Sequence, residues 1–224
     1  MGEEIKPLKR IITIDGPAGA GKSTIAKLLA ERIGYEYLDT GAIYRTISLC
    51  LSRMSIPPVE SDNLIPALRN CRINLSKGKV LLGEEDVSGL IRSQAVDRIV
   101  SAYSALPMVR AFLIRIQREQ AEISDIVADG RDMGSVVFPE AVVKIYLDAD
   151  IDVRAERRWK ELAARGVDVS LDEIRYEVRE RDRLDTTRAI SPLRVPEGAW
   201  VVESSNMTVG SVVEKILTII SKNI

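Results

Sequence analysis

Lys22 and Ser23 close the run IITIDGPAGAGKS at residues 11–23, in which Gly16 is followed after four residues by Gly21-Lys22-Ser23. That spacing is the pattern of a phosphate-binding P-loop. A bound phosphate needs several backbone N–H groups aimed at one point, and only residues without bulk let a chain curl so tightly. Gly16, Ala18, Gly19, Ala20 and Gly21 supply that smallness. In such a loop the lysine sets a cation against the β- and γ-phosphates, and the serine hydroxyl is placed to ligate the Mg²⁺ that bridges them. The chemistry indicated is phosphoryl transfer from a nucleotide.

Further candidates follow other apolar runs. Asp39-Thr40-Gly41 with Tyr44 and Arg45 follows YEYL, and Asp129-Gly130-Arg131-Asp132 follows Ile126-Val127-Ala128. Asp148 leads into Arg154, Arg157 and Arg158, which share a helix face by their spacing of three and four. Ser204-Ser205 follows the last such run. Any one cluster alone reads as a helix cap or a solvated face. Several beside a P-loop read as a site that offsets the repulsion of two polyanions. Arg45, Arg131 and Arg181 suit an acceptor phosphate, and Arg154, Arg157 and Arg158 suit a lid over the γ-phosphate. Arg179 and Arg183 read as solvated. There is no histidine, which excludes mechanisms built on imidazole, whereas an acceptor that is already an anionic oxygen needs no strong base.

The elements that must position these groups alternate. Ile11, Ile12 and Ile14 predict a buried strand, and Ile25, Leu28, Leu29 and Ile33 a helix behind the loop. A strand at 35–38, a helix at about 42–53, helices at about 88–103 and 107–124, and strands at 126–129, 142–148 and 200–204 continue the pattern. Charged helices at about 151–165 and 170–188 and an amphipathic terminal helix complete it. The fold class is α/β, a parallel sheet covered by helices on both faces. CRINLSKGKVLLGEEDVSG interrupts the alternation as short strands with turns at Lys77-Gly78 and Gly83-Glu84-Glu85, an inserted subdomain at about 57–100 within a core of 1–56 and 101–224. A lid falls at about 151–168.

The 224 residues are 46% hydrophobic and 29% charged, with net charge −1. These values fit one globular unit and give no support to nucleic-acid or membrane attraction. No stretch approaches the ~20 apolar residues of a membrane span, and MGEEIKPLKR lacks a signal-peptide core. A cytosolic protein is expected. Cys50 and Cys71 lack CxxC spacing and are expected to be small core residues, neither metal ligands nor a disulfide.

GPAGAGKST, DTGAIYR, EDVSGLIRSQ at 85–94, ADGRDMGSVVFPEAVVKIYLDA at 128–149 and ERDRLDTTRAISPL at 180–193 together resemble the bacterial cytidylate kinases nearly end to end. The resemblance implies a P-loop kinase fold with an enlarged monophosphate-binding subdomain. It implies that Gly16, Pro17, Ala18, Gly19, Ala20, Gly21, Lys22, Ser23 and Thr24 bind the ATP phosphates. Thr40, Tyr44, Arg45, Ser101, Arg110, Arg131, Asp132, Arg181, Asp185 and Arg188 match positions that hold CMP or dCMP. Asp132 and Arg110 would read the exocyclic amine and ring edge. Lys22, Arg131, Arg154, Arg157 and Arg158 would be catalytic, with Ser23 and, through water, Asp129 near Mg²⁺. Thr40 stands where some members have Ser, and Ser23 where some have Gly. A monomer is expected. A kinase for another small acceptor such as a sugar acid would show fewer acceptor arginines and a base. A GTP-binding switch would show an NKxD-type motif, which is absent from the sequence.

Overall fold

The computed structural model describes residues 10–76 and 79–224. In chain order the first half comprises β1 (Ile11–Asp15), α1 (Lys22–Ile33), β2 (Glu36–Asp39), α2 (Thr40–Arg53), α3 (Leu64–Asn70), β3 (Ile73–Ser76), β4 (Lys79–Leu82), β5 (Glu85–Asp86), α4 (Gln94–Ser104) and α5 (Pro107–Ala121). The second comprises β6 (Ile126–Gly130), β7 (Val143–Asp148), α6 (Ile151–Ala164), α7 (Leu171–Thr187), β8 (Trp200–Glu203) and α8 (Val209–Ile220). A π-helical turn, Met133–Val137, follows β6.

Five strands form one parallel sheet in the order β2-β6-β1-β7-β8. Their alternation divides the core between the two faces. Ile126 and Ala128 join a cluster with Ile43, Ile47, Leu51, Val109 and Leu113, while Ile12, Ile14, Val127 and Ile145 pack with Ile25, Leu29, Val212 and Ile216. Fully burying side chains of this size is worth roughly 1.5–3 kcal/mol each, which accounts for the apolar stripe of α8 as core. Register brings Asp15 beside Gly130 and Asp39 beside Asp129. All the loops singled out from the sequence therefore leave one edge of the sheet, the carboxyl edge where such sheets bind ligands.

The antiparallel strands form a separate sheet, β3-β4-β5. The Lys77-Gly78 turn expected there lies outside the described residues. Two features depart from expectation. The stretch after Pro58 contains α3, because Leu64, Ala67 and Leu68 recur at helical spacing and Pro66 stands in the first turn, where a missing N–H costs nothing. Leu64 and Leu68 pack into the same cluster as Ile47 and Leu113, so the inserted segment shares its core with the sheet's helices. The 3₁₀ turn Leu90–Arg92 precedes α4, which starts only at Gln94, where the Ser93 side chain accepts a bond from the Val96 N–H. No single helix among the described residues is long and apolar enough to cross a membrane.

The cysteines correct the sequence reading. Cys50 on α2 and Cys71 at the end of α3 form a disulfide with Cα atoms 6.1 Å apart. Both are buried core residues as expected, but α3 folds back on α2 and brings them together, which a spacing of 21 residues does not reveal. Denatured without reductant, the protein should expose no titratable thiol. Reduction should release two and lower the unfolding free energy by about 3 kcal/mol, as expected for a loop of this size. Two free thiols in the unreduced chain would remove the cross-link.

Candidate active site

The P-loop runs from Gly16 to the start of α1. Gly16 has φ +149° and a Cβ there would lie 2.0 Å from the Leu147 carbonyl oxygen, so no side chain fits between the loop and β7. Gly19, at φ +76°, also approaches backbone, where a Cβ would lie 2.9 Å from the Arg154 carbonyl oxygen. Side chains of Asp39, Ser93, Asp150, Ser170 and Thr208 accept bonds from the first turns of α2, α4, α6, α7 and α8. At α1 the N-cap is Gly21, with no side chain to do so. Its first N–H groups are available to an anion, at the positive end of the helix dipole.

Lys22 is buried, and its Nζ donates to the Pro17 carbonyl at 2.7 Å. Burial and then the charge of Arg131 lower its pKa well below the usual lysine range. Ser23 Oγ and Tyr37 Oη donate to the two oxygens of Asp129 at 2.8 and 2.9 Å, and Thr40 Oγ1 donates to the Asp129 carbonyl. Burial, with the charge of Asp39, pushes Asp129 up to about 6, while Lys22 pulls it down. Among the described residues there is no group of three carboxylates, cysteines or histidines that could hold a metal. One hydroxyl and one carboxylate beside a phosphate cradle are nonetheless a fitting set for Mg²⁺, which takes few protein oxygens and completes its shell with phosphate and water.

A second group of charges faces the P-loop. Arg110 is buried across from Asp132, donates to it and to the Ser104 carbonyl, and lies 5.3 Å over the Tyr44 ring. Arg188 stands 3.6 Å from both Asp132 and Asp185. Arg131 donates through Nε to Asp185 at 2.8 Å. Burial raises the Asp185 pKa, but Arg131, Arg181 and Arg188 outweigh it and hold the carboxyl below its usual range. Arg181 has no hydrogen-bond partner for its buried Nε, and burial together with Arg131 lowers its pKa to about 10. Three guanidiniums, those of Arg110, Arg131 and Arg188, thus share two carboxylates, and Arg181 adds a fourth positive charge beside them. The Tyr44 hydroxyl is buried without a partner, its pKa pushed up to about 12 by burial. Ser101 is half-buried on α4, with its carbonyl accepting from Ser104. Arg45 donates to the Ile91 carbonyl and to Asp97.

The three arginines of α6 divide. Arg154 reaches under the loop, donating to the carbonyls of Ala18 and Ala149 and to Asp182. Arg157 donates to the Ser204 carbonyl at 2.7 Å and more weakly to that of Ala20. Arg158 turns the other way, to Asp97 and Glu161. Arg183 is exposed and pairs with Glu180, and Arg179 is exposed, as the sequence suggested.

Three carboxylates escaped the sequence reading. Asp182 accepts from the Ala18 N–H and from Arg154, and its only sequence signal is its place three residues before Asp185. Asp97 joins Arg45 to Arg158. Asp15 ends β1 fully buried and accepts from the N–H groups of Met133 and Gly134, which seats the π-helical turn against the P-loop strand. A carboxylate ending a strand otherwise made of three isoleucines and Thr13 was the available signal for Asp15.

A parallel sheet with a P-loop at its first strand, arginines from α6 against that loop and an arginine-rich cleft across from it define a P-loop kinase. The cytidylate kinase family profile matches residues 12–222. The cytidylate kinase of Carboxydothermus hydrogenoformans is 45% identical over 94% of this chain and 97% of its own, and that of Caldanaerobacter subterraneus subsp. tengcongensis is 43% identical over 95% of each. An uncharacterized protein from Eubacterium ventriosum superposes with TM-score 0.51 at 12% identity over 95% of this chain and 99% of its own. The chain belongs to the cytidylate kinase family.

Burial raises the folded-state pKa of Asp15 from its ordinary 3.8 to about 6, against the two N–H bonds it accepts. Between those values the folded chain keeps a proton that the unfolded chain has lost, so this stabilising contribution is complete below about pH 4 and lost as pH rises to about 6. Measured by denaturation, the stability of wild type minus that of Asp15→Asn should fall by on the order of 1–3 kcal/mol across that interval. A flat difference would show that the N–H bonds cancel the cost of burial.

Proposed function

We propose that the protein transfers the γ-phosphoryl group of ATP to CMP and dCMP, and that the residues around the cleft divide this work. The observation that carries the reading is the surplus of guanidiniums over carboxylates opposite the P-loop, charge that a phosphate would complete. In this reading Gly16 through Thr24 hold the ATP phosphates by backbone N–H groups, with Lys22 leaving the Pro17 carbonyl for the phosphate oxygens. Ser23 and Asp129 would hold Mg²⁺, which supplies charge neutralisation between the β- and γ-phosphates.

Arg131, Arg181 and Arg188 bind the acceptor phosphate, with Asp185 fixing the fork of Arg131 and facing the sugar hydroxyls. Thr40, Tyr44, Arg45 and Ser101 line the acceptor side. Arg110 and Asp132 read the base: a carboxylate accepts from the amine of cytosine, whereas the carbonyl of uracil at that place would set acceptor against acceptor. Because the acceptor is an anionic oxygen, positioning and charge carry the reaction and no protein base is required. Arg154 and Arg157, by holding the carbonyls of Ala18 and Ala20, turn the loop's N–H groups inward, and Arg158, which is tied to carboxylates and not to the loop, is the cation that would move to the γ-phosphate. The segment at about 57–100 serves as the acceptor-binding part and that at about 151–168 as the lid. Closing the lid would exclude water and so limit wasteful hydrolysis. We read the protein as cytosolic and monomeric, serving pyrimidine nucleotide metabolism.

The test is ADP release from Mg·ATP with CMP, dCMP, UMP, AMP or GMP as acceptor. Strong acceleration by CMP and dCMP alone is expected, and none by any monophosphate would overturn the reading. The base-reading role of Asp132 is tested by Asp132→Asn, with Asp132→Ala beside it. Both should lose at least tenfold more kcat/KM on CMP than on UMP, roughly 1.4 kcal/mol of discrimination. Equal losses on both acceptors would remove that role.

A further inference from the structure

Asp97 belongs to no apolar pattern and caps nothing. It lies in the first turn of α4, the side chain of Ser93 being the cap. Its carboxylate is shared: Oδ1 lies 2.5 Å from Nη2 of Arg45 on α2, and Oδ2 lies 2.8 Å from Nη2 of Arg158 on α6. The three side chains are 15%, 19% and 25% exposed, so water screens them only in part. Arg45 is further held by the Ile91 carbonyl and Arg158 by Glu161. The unpaired Arg181 is close enough for the charges of Arg45 and Asp97 to act on its pKa. One carboxylate therefore stands between a cation of the acceptor side and a cation of the lid, in the middle of the positive cleft.

A carboxylate with an arginine on each oxygen copies two of the oxygens of a phosphate. From this we infer that Asp97 is a positioning residue that acts as a stand-in anion: it holds Arg45 and Arg158 together until substrate phosphates displace it. The inference rests on the proposed kinase reading and deepens it. While Asp97 holds Arg158, that guanidinium is withheld from the γ-phosphate of ATP bound alone. An acceptor phosphate at Arg45 takes one partner of Asp97 and brings a second, more highly charged anion into the site, which competes with Asp97 for Arg158. The lid cation thus becomes available when the acceptor is present. The arrangement lowers affinity for both nucleotides and protects ATP from water, since each incoming phosphate must compete with a charge already in place.

The experiment uses the full chain and compares Asp97→Asn with Asp97→Glu, each checked by thermal melting for a folded state. Asn keeps the shape and removes the charge, so KM for CMP should fall at least threefold and ADP release without acceptor should rise at least threefold. Asp97→Glu, which keeps the charge, should stay within twofold of wild type on both. If in Asp97→Asn either quantity changes by less than threefold or in the opposite direction, or if Asp97→Glu departs from wild type by more than twofold on either, the inference is overturned and Asp97 is a structural ion-pair member. If wild type phosphorylates no monophosphate, the kinase reading fails by itself. The stand-in role is then decided by calorimetry with ATP in EDTA, where Asp97→Asn should bind at least threefold more tightly, and equal or weaker binding overturns it.

Discussion

A guanidinium removed from water needs an opposite charge or it is expelled, and the cleft of this protein gathers many of them at the end of one sheet. Most are kept there by a carboxylate that reaches them from another element. Asp132 after β6 faces Arg110 of α5, Asp185 of α7 faces Arg131, Asp182 of α7 faces Arg154 of α6, and Asp97 of α4 faces Arg45 and Arg158. The pairs are also the joints of the molecule. They tie α2, α4, α5, α6 and α7 to the carboxyl edge of the sheet, so the same interactions that make the cleft positive hold its walls in place. The balance falls short at Arg181, and that shortfall is what a phosphate would supply.

The P-loop depends on this network as much as on its glycines. Gly16 lets it pass the Leu147 carbonyl and Gly19 lets it lie on α6. Its carbonyls at Ala18 and Ala20 are taken by arginines of α6, and its Ala18 N–H by Asp182. The strand beneath is fixed from the other side, because Asp15 accepts from the turn after β6. An anion site made of backbone amides works only if those amides cannot turn away.

Much of this was legible in the residues. The P-loop spacing, the apolar strands and the amphipathic helices rest on local periodicity, and they appear in the structure close to where periodicity put them, except that α4 starts six residues later than expected, behind a 3₁₀ turn. The nearness of Arg131 and Arg181 followed from their places after a strand and along a charged helix, while the roles of Asp132, Asp185 and Arg188 came from the family resemblance. What stayed hidden depends on contacts between distant segments. Helix α3 was obscured by the turn-forming SIPPVESDN before it. The Cys50–Cys71 bond needed α3 to fold onto α2, and Asp97 reads as an ordinary first-turn acid until Arg45 and Arg158 arrive from 52 and 61 residues away. Asp15 was hidden by its neighbours, since a charge at the end of an apolar strand shows its purpose only when Met133 and Gly134 are seated above it.

Helices α6 and α7 carry a small core of their own, in which Ala155, Leu162, Ile174 and Val178 pack with Ile151, Trp159, Val167, Val169 and Leu171. None of these residues belongs to the clusters on either face of the sheet. Any swing of this hairpin as one body keeps its greasy seam shut and wets little hydrocarbon. What changes partners is charge, from carboxylate to phosphate or water. Large heat-capacity changes come from hydrating apolar surface, so a swing of this hairpin would leave that quantity nearly flat and would answer to ions and ligands far more than to warming or cooling.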